Sequence, residues 1–93
     1  MREREVEAYL VRRVKAAGGD TRKLKFVGHN GAPDRLLLFP DDYHCLVETK
    51  RPKGGILEAH QVREHARLRK AGFDVFEAYT KQDVDSIFSM LNR

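Results

Sequence analysis

Two short polar segments interrupt a part of the chain that is otherwise rich in apolar residues. Pro33-Asp34 comes first, and thirteen residues separate Asp34 from the segment Glu48-Thr49-Lys50. Side chains alternate across a β-strand, so Glu48 and Lys50 should point to one face and Thr49 to the other. A hairpin between the two segments would set Asp34 beside Glu48. The spacing therefore predicts that two carboxylates and one ammonium group converge.

Such a group of side chains suits a particular chemistry. Carboxylate oxygens bind hard divalent cations such as Mg²⁺ or Mn²⁺, and the backbone carbonyl of Thr49 is placed to be a further ligand. The cation would activate water and neutralise charge on a phosphate. Lys50 would orient that water and stabilise the transition state. The pattern predicts a metal-dependent phosphodiesterase.

A simpler interpretation is that Glu48 and Lys50 form an exposed ion pair, worth at most about 1 kcal/mol. Their position in an apolar strand favours a site instead, because unpaired charges in such a strand cost free energy. The residues His44, His60 and His65 show no metal-ligand spacing, and we expect them to be incidental.

Composition limits the possible classes of protein. The 93 residues predict one domain, 1–93, and 18 Lys and Arg against 14 Asp and Glu give a net charge of +4, which favours a nucleic acid partner. The single cysteine, Cys45, excludes disulfide and zinc-finger scaffolds and fits a reducing cytoplasm. No apolar run approaches the roughly 20 residues of a membrane span, and the charged start lacks a signal peptide's apolar segment. We therefore expect an untargeted protein without a membrane partner.

Hydropathy and turn residues predict seven elements in the order αβββαβα. The predicted ranges are helix 3–17, strands 23–27, 35–39 and 43–49, helix 57–71, strand 73–79, and a last helix that begins after a capping box at 80–83. A right-handed crossover through the second helix would set the fourth strand parallel to a neighbour. The expected class is α/β, with a mixed β-sheet flanked by helices.

The order and spacing of these residues also carry a family resemblance. Glu7, the segment 31–35, the segment 48–50 and Gln61 resemble the VRR-NUC (virus-type replication-repair nuclease) domain of the PD-(D/E)XK nuclease superfamily. The resemblance spans nearly the whole chain. It implies a restriction-endonuclease-like fold, Mg²⁺- or Mn²⁺-dependent hydrolysis of DNA and a bacterial or virus-infected cell. For short members that dimerise, it implies cleavage of branched DNA such as Holliday junctions.

The resemblance also implies roles for individual residues. The metal ligands are Asp34, Glu48 and, through its carbonyl, Thr49; the catalytic lysine is Lys50, and Gln61 and Glu7 adjoin the site. Glu3 and Glu5 compete with Glu7 as the acid from the first helix. For Gln61, a position on the solvated surface of its helix is the alternative.

Basic residues near the predicted site are the expected DNA contacts. Arg51 and Lys53 border the site, and His29 and Arg35 flank the Pro-Asp segment. The leading hypothesis is a structure-selective endonuclease that cuts four-way junctions as a homodimer. A non-catalytic basic DNA-binding module is the alternative, and it would bind in a salt-dependent manner without turnover. A third hypothesis is a partner-docking domain that uses the amphipathic last helix.

Overall fold

A computed structural model describes residues 1–93 of the chain. Its elements are α1 (Glu3–Ala16), β1 (Asp20–Lys23), β2 (Arg35–Leu38), β3 (His44–Thr49), α2 (Ala59–Lys70), β4 (Val75–Ala78) and α3 (Lys81–Met90). The predicted α/β class and the order αβββαβα are confirmed. None of the three helices combines the length and the apolar character needed to cross a membrane.

The four strands form one mixed sheet in the order β1-β2-β3-β4. β1, β2 and β3 pair antiparallel, whereas β4 pairs parallel to β3 after the crossover through α2. Arg35 lies opposite Val47 and Leu37 lies opposite Cys45. This register places the residue before β2, Asp34, next to the end of the central strand β3.

The two faces of the sheet are covered differently. α1 and α3 pack on one face and bury the main core, which is formed by Val6, Leu10, Val14, Leu37, Phe39, Cys45, Val47, Ala78, Val84, Ile87 and Phe88. On the other face, α2 lies near β4, where Arg69 Nη2 donates a hydrogen bond to the Val75 carbonyl at 2.7 Å. Beside α2 runs an apolar groove lined by Leu24, Phe26, Leu36, Leu38, Leu46, Leu68 and Phe73 together with His44.

The predicted range of the first strand, 23–27, is wrong, because β1 covers Asp20–Lys23. Lys23 pairs with Arg35, and the next bond runs from Leu24 N–H to the Asp34 carbonyl at 2.8 Å. Continuing this register sets residue 25 opposite Pro33, and proline has no N–H for the ladder. The alternating residues that follow Lys23 therefore lie in a loop.

The second helix and fourth strand are shorter than the predicted ranges 57–71 and 73–79. Glu58 is the N-cap of α2, and its N–H donates to Gln61 Oε1 at 2.9 Å. This side chain satisfies a backbone donor that has no partner within the helix, so the helix begins at Ala59 and not at Leu57.

Phe88 is the largest fully buried side chain, and its ring packs edge-on against Phe39. We expect Phe88→Ala to lower the free energy of unfolding by about 3–5 kcal/mol, because the substitution leaves a cavity between α3 and the sheet. Urea denaturation followed by circular dichroism measures this loss. Met90→Ala is the matched control on the same helix, since Met90 is 66% exposed, and it should change the value by less than about 0.5 kcal/mol.

Candidate active site

Asp34 is fixed at the end of the central strand. Its Oδ2 accepts two hydrogen bonds from Thr49, one from the backbone N–H and one from Oγ1, both at 2.8 Å. Thr49 is fully buried, so both donors lie away from solvent. Because one carboxylate oxygen takes both bonds, Oδ1 of Asp34 is left for a ligand.

Pro33 explains why the Thr49 carbonyl lacks a partner in β2. The β2–β3 register pairs Arg35 with Val47, and its continuation sets Pro33 opposite Thr49. An antiparallel pair of this kind normally exchanges two N–H···O bonds, but proline has no N–H to donate. The Thr49 carbonyl oxygen therefore lies beside Asp34 and receives no hydrogen bond from the neighbouring strand.

Glu48 is a buried carboxylate, with only 2% of its surface exposed. Its Oε2 accepts a hydrogen bond from Gln61 Nε2 at 3.1 Å and lies 3.5 Å from Lys50 Nζ. Burial is the main cause that raises the pKa of Glu48 to about 7; the nearby carboxylate of Asp34 acts in the same direction, and Lys50 partly offsets both effects. The carboxylate is held at the site against its own desolvation cost.

Three acidic side chains converge at this point. Glu3, Asp34 and Glu48 each place one carboxylate oxygen so that all three lie within 4.8 Å of one another. An all-oxygen donor set is the kind that Mg²⁺ and Mn²⁺ prefer. These residues therefore fit a divalent cation.

On α1, the structure brings Glu3 next to Asp34 and Glu48, whereas Glu7, the residue preferred from sequence, is not part of this cluster. Glu7 Oε2 instead accepts from Arg35 Nε at 2.8 Å and lies 3.8 Å from Lys23 Nζ. Glu5 Oε1 accepts from the Arg2 backbone N–H at the start of the helix. The sequence does hold a signal for Glu3, because it lies 3, 7 and 11 residues before the buried side chains of α1 at 6, 10 and 14.

Gln61 is tied to the site at both ends of its amide. Its Oε1 accepts the Glu58 N–H, so its Nε2 is the atom that donates to Glu48. This arrangement differs from the surface alternative considered from sequence. The amide links the first turn of α2 to the end of β3.

The four predicted DNA contacts have different surroundings. Arg51, Lys53 and His29 are exposed, and Arg51 lines a polar depression together with Glu3 and Lys50. The side chain of Arg35 is only 19% exposed and is bound to Glu7, so the structure does not present it as a free cation for phosphate.

Gly55 holds the basic loop close to the strand that precedes it. A Cβ atom at this position would lie 2.3 Å from the Arg51 carbonyl oxygen, and only glycine permits this approach. The loop therefore keeps Arg51 at the rim of the site.

One residue next to the acids is not among the site residues predicted from sequence. His65, expected to be incidental, is fully buried, and its Nε2 lies 3.9 Å from Glu48 Oε1. His44 and His60 are exposed. The sequence position of His65 could have indicated its role. It follows Gln61 by four residues, about one helical turn, and so lies on the same face of the helix.

Comparisons with known proteins are consistent with this geometry. The chain matches no protein-family model. It is 38% identical over 92 residues to a protein of Acyrthosiphon pisum secondary endosymbiont phage 1 named "Putative nuclease p44", and the match covers 99% of this chain and 97% of that protein. A solved structure described as "VRR_NUC domain" superposes with a TM-score of 0.88 at 38% identity, over 94% of each chain.

Proposed function

Because this chain belongs to the VRR-NUC nuclease family, we propose that it is a Mg²⁺- or Mn²⁺-dependent DNA endonuclease that cuts four-way (Holliday) junctions as a homodimer. The observation that carries the proposal is the convergence of Asp34 and Glu48 with Lys50. The proposed nuclease works in the cytoplasm of a bacterial or virus-infected cell.

Each residue of the site has a distinct task in this proposal. Asp34 Oδ1, a Glu48 oxygen and the Thr49 carbonyl would hold the cation, with Glu3 as a further acid. The bound cation would supply Lewis-acid catalysis at the scissile phosphate. Lys50 donates hydrogen bonds to the attacking water and to the phosphate, where negative charge develops in the transition state.

Phosphate groups on either side of the cleaved bond need their own contacts. Arg51 and Lys53 lie on the loop at the rim of the site, and the exposed His29 lies on the loop before Asp34. We assign these three side chains to phosphate binding. Arg35 contributes indirectly, since its bond to Glu7 ties the start of β2 to α1.

The apolar groove supports the homodimer. It is lined by seven hydrophobic residues, and one of them, Phe73, is 46% exposed. A second copy that covers this groove would remove apolar surface from water, which stabilises association. Light scattering should then give twice the 10.7 kDa mass of the chain. A mass of one chain at all concentrations would contradict the homodimer but leave the nuclease site in place.

Cleavage assays on defined DNA substrates test the proposal. The purified protein is incubated with a four-way junction, a flap and a linear duplex, with Mg²⁺, Mn²⁺ or EDTA. We expect metal-dependent cuts, and faster ones in the junction. Asp34→Asn should remove them, since the amide retains an acceptor for Thr49 but loses the charge. Salt-dependent binding to all three substrates without any cut would support the non-catalytic DNA-binding module instead.

Glu3 and Glu7 provide a matched pair on one helix. Glu3→Gln should weaken Mn²⁺ binding by roughly tenfold or more, because one carboxylate is lost from the acidic cluster. Glu7→Gln should leave Mn²⁺ affinity unchanged and lower the free energy of unfolding by up to about 1 kcal/mol, because Arg35 loses its partner. Calorimetric titration with Mn²⁺ and urea denaturation measure the two effects. The reverse ranking of the two affinities would restore Glu7 as the acid of the site.

A further inference from the structure

We propose that His65 is a positioning residue. Its Nε2–H donates to Glu48 Oε1, and this bond keeps the other carboxylate oxygen, Oε2, directed at the cation. This role rests on the proposed metal site. His65 is fully buried, and its Nε2 faces Glu48 Oε1 at 3.9 Å. The two atoms are buried, and neither has a hydrogen-bond partner.

The two oxygens of Glu48 have separate surroundings. Oε2 lies on the side of Lys50 and Gln61, which border the acidic cluster, whereas Oε1 lies on the side of His65. A buried acceptor without a donor is unfavourable, and so is a buried ring N–H without an acceptor. A shift of about 1 Å by either side chain brings Nε2 and Oε1 to hydrogen-bond distance and satisfies both.

The opposite nitrogen of the ring faces a second carboxylate. His65 Nδ1 lies 3.5 Å from Glu77 Oε2, and Arg69 Nη2 contacts that same oxygen at 3.1 Å. Glu77 is the partner of Glu48 in the β3–β4 register, so the two carboxylates lie side by side on one face of the sheet. The imidazole therefore lies between two carboxylates, and only one of them is close to the catalytic lysine.

The position of His65 on α2 argues against a purely apolar packing role. Gln61, His65 and Arg69 follow one another at intervals of four residues, which is one face of a helix. Each of them contacts Glu48 or Glu77 of the strands below. This face of α2 matches the polar end of β3 and β4. A histidine that aligns a metal-binding carboxylate acts as outer-sphere groups do at metal sites.

Two substitutions of similar size separate alignment of Glu48 from packing. His65→Gln can place an amide N–H where Nε2 lies, whereas the shorter His65→Asn reaches only the position of Nδ1. We expect His65→Asn to raise the dissociation constant for Mn²⁺ by roughly 10–100-fold and His65→Gln to change it by less than about threefold. His60→Asn, at an exposed position of the same helix, is the control and should have no effect.

The measurements are Mn²⁺ titration by electron paramagnetic resonance and urea denaturation of each variant. If Asn and Gln at position 65 bind Mn²⁺ equally well, the positioning role is wrong. If the unmodified protein binds no Mn²⁺ at all, the proposed nuclease function itself fails, which is a different result from equal binding by the variants.

A spectrum of the unmodified protein covers the case in which neither variant folds. Long-range ¹H–¹⁵N correlation of the histidine rings shows which nitrogen of His65 carries a proton. We expect a protonated Nε2 whose resonance shifts when Mg²⁺ is added, because Glu48 is then held from both sides. An Nε2 without a proton, or one that does not respond to Mg²⁺, would overturn the inference.

Discussion

Lys50→Met is expected to slow cleavage of DNA by roughly 10²–10³-fold while leaving the affinity for Mn²⁺ nearly unchanged. The lysine ammonium lies 3.5 Å from Glu48 and is only 17% exposed, so it acts where water is largely excluded. Removing one donor that stabilises the charge of a transition state costs a factor of this size. Methionine keeps most of the unbranched stem and removes the charge. Single-turnover rates with saturating Mn²⁺ measure the effect.

The control for this substitution is Lys70→Met, since Lys70 is exposed at the end of α2. Its cleavage rate should match that of the unmodified protein. A Lys50→Met protein that still cuts at a rate within a few-fold of normal would show that the ammonium is not part of the reaction. Loss of Mn²⁺ binding together with loss of cleavage would assign Lys50 to the structure of the site instead.

Glu48→Gln is expected to abolish both metal binding and cleavage, yet to stabilise the metal-free protein at pH 8. The carboxyl has a pKa of about 7 in the fold, against 4.5 as its ordinary value, mainly because it is buried. Such a group takes up a proton on folding, so the fold gains stability as pH falls from about 7 towards 4.5. Above pH 7 the full cost of the buried charge is present, on the order of 3 kcal/mol. A neutral amide avoids that cost.

Urea denaturation in EDTA at pH 5 and pH 8 measures this effect. The unmodified protein should lose stability between pH 5 and pH 8 relative to Glu48→Gln, and added Mn²⁺ should restore it only where Glu48 is present. Asp42→Asn, at an exposed turn position with φ of 63° that asparagine also adopts, controls for the loss of a carboxylate away from the site. If Glu48→Gln is less stable than the unmodified protein in EDTA at both pH values, the buried charge of Glu48 does not destabilise the fold.

The convergence of Asp34 and Glu48 could be predicted from sequence because it depends on local structure. The two residues flank one hairpin, and the turn at Pro40-Asp41-Asp42 is encoded by its own residues, with Asp42 at a positive φ of 63°. Strand alternation then determines that Glu48 and Lys50 share a face. The order of elements follows from the same short-range patterns of apolar and turn residues.

Other features depend on how distant elements pack. The choice among Glu3, Glu5 and Glu7 depends on the rotation of α1 against the sheet, and one residue along a helix changes direction by about 100°. The polar face of α2 hides the role of His65 from hydropathy, because that face covers Glu48 and Glu77 rather than apolar residues. The predicted end of β1 is wrong because the alternating polar and apolar residues after Lys23 are typical of a strand, whereas Pro33 in the neighbouring segment ends the hydrogen bonding between the two strands.

Crystals grown with Mn²⁺ test most directly whether these acids form a metal site. Anomalous scattering recorded at the manganese absorption edge locates the ion independently of any assumption about the site. We expect a peak bounded by carboxylate oxygens of Asp34 and Glu48 and the carbonyl oxygen of Thr49, and no peak in Asp34→Asn crystals. Well-ordered crystals with no peak between these residues, or with manganese bound only elsewhere on the chain, would contradict this expectation.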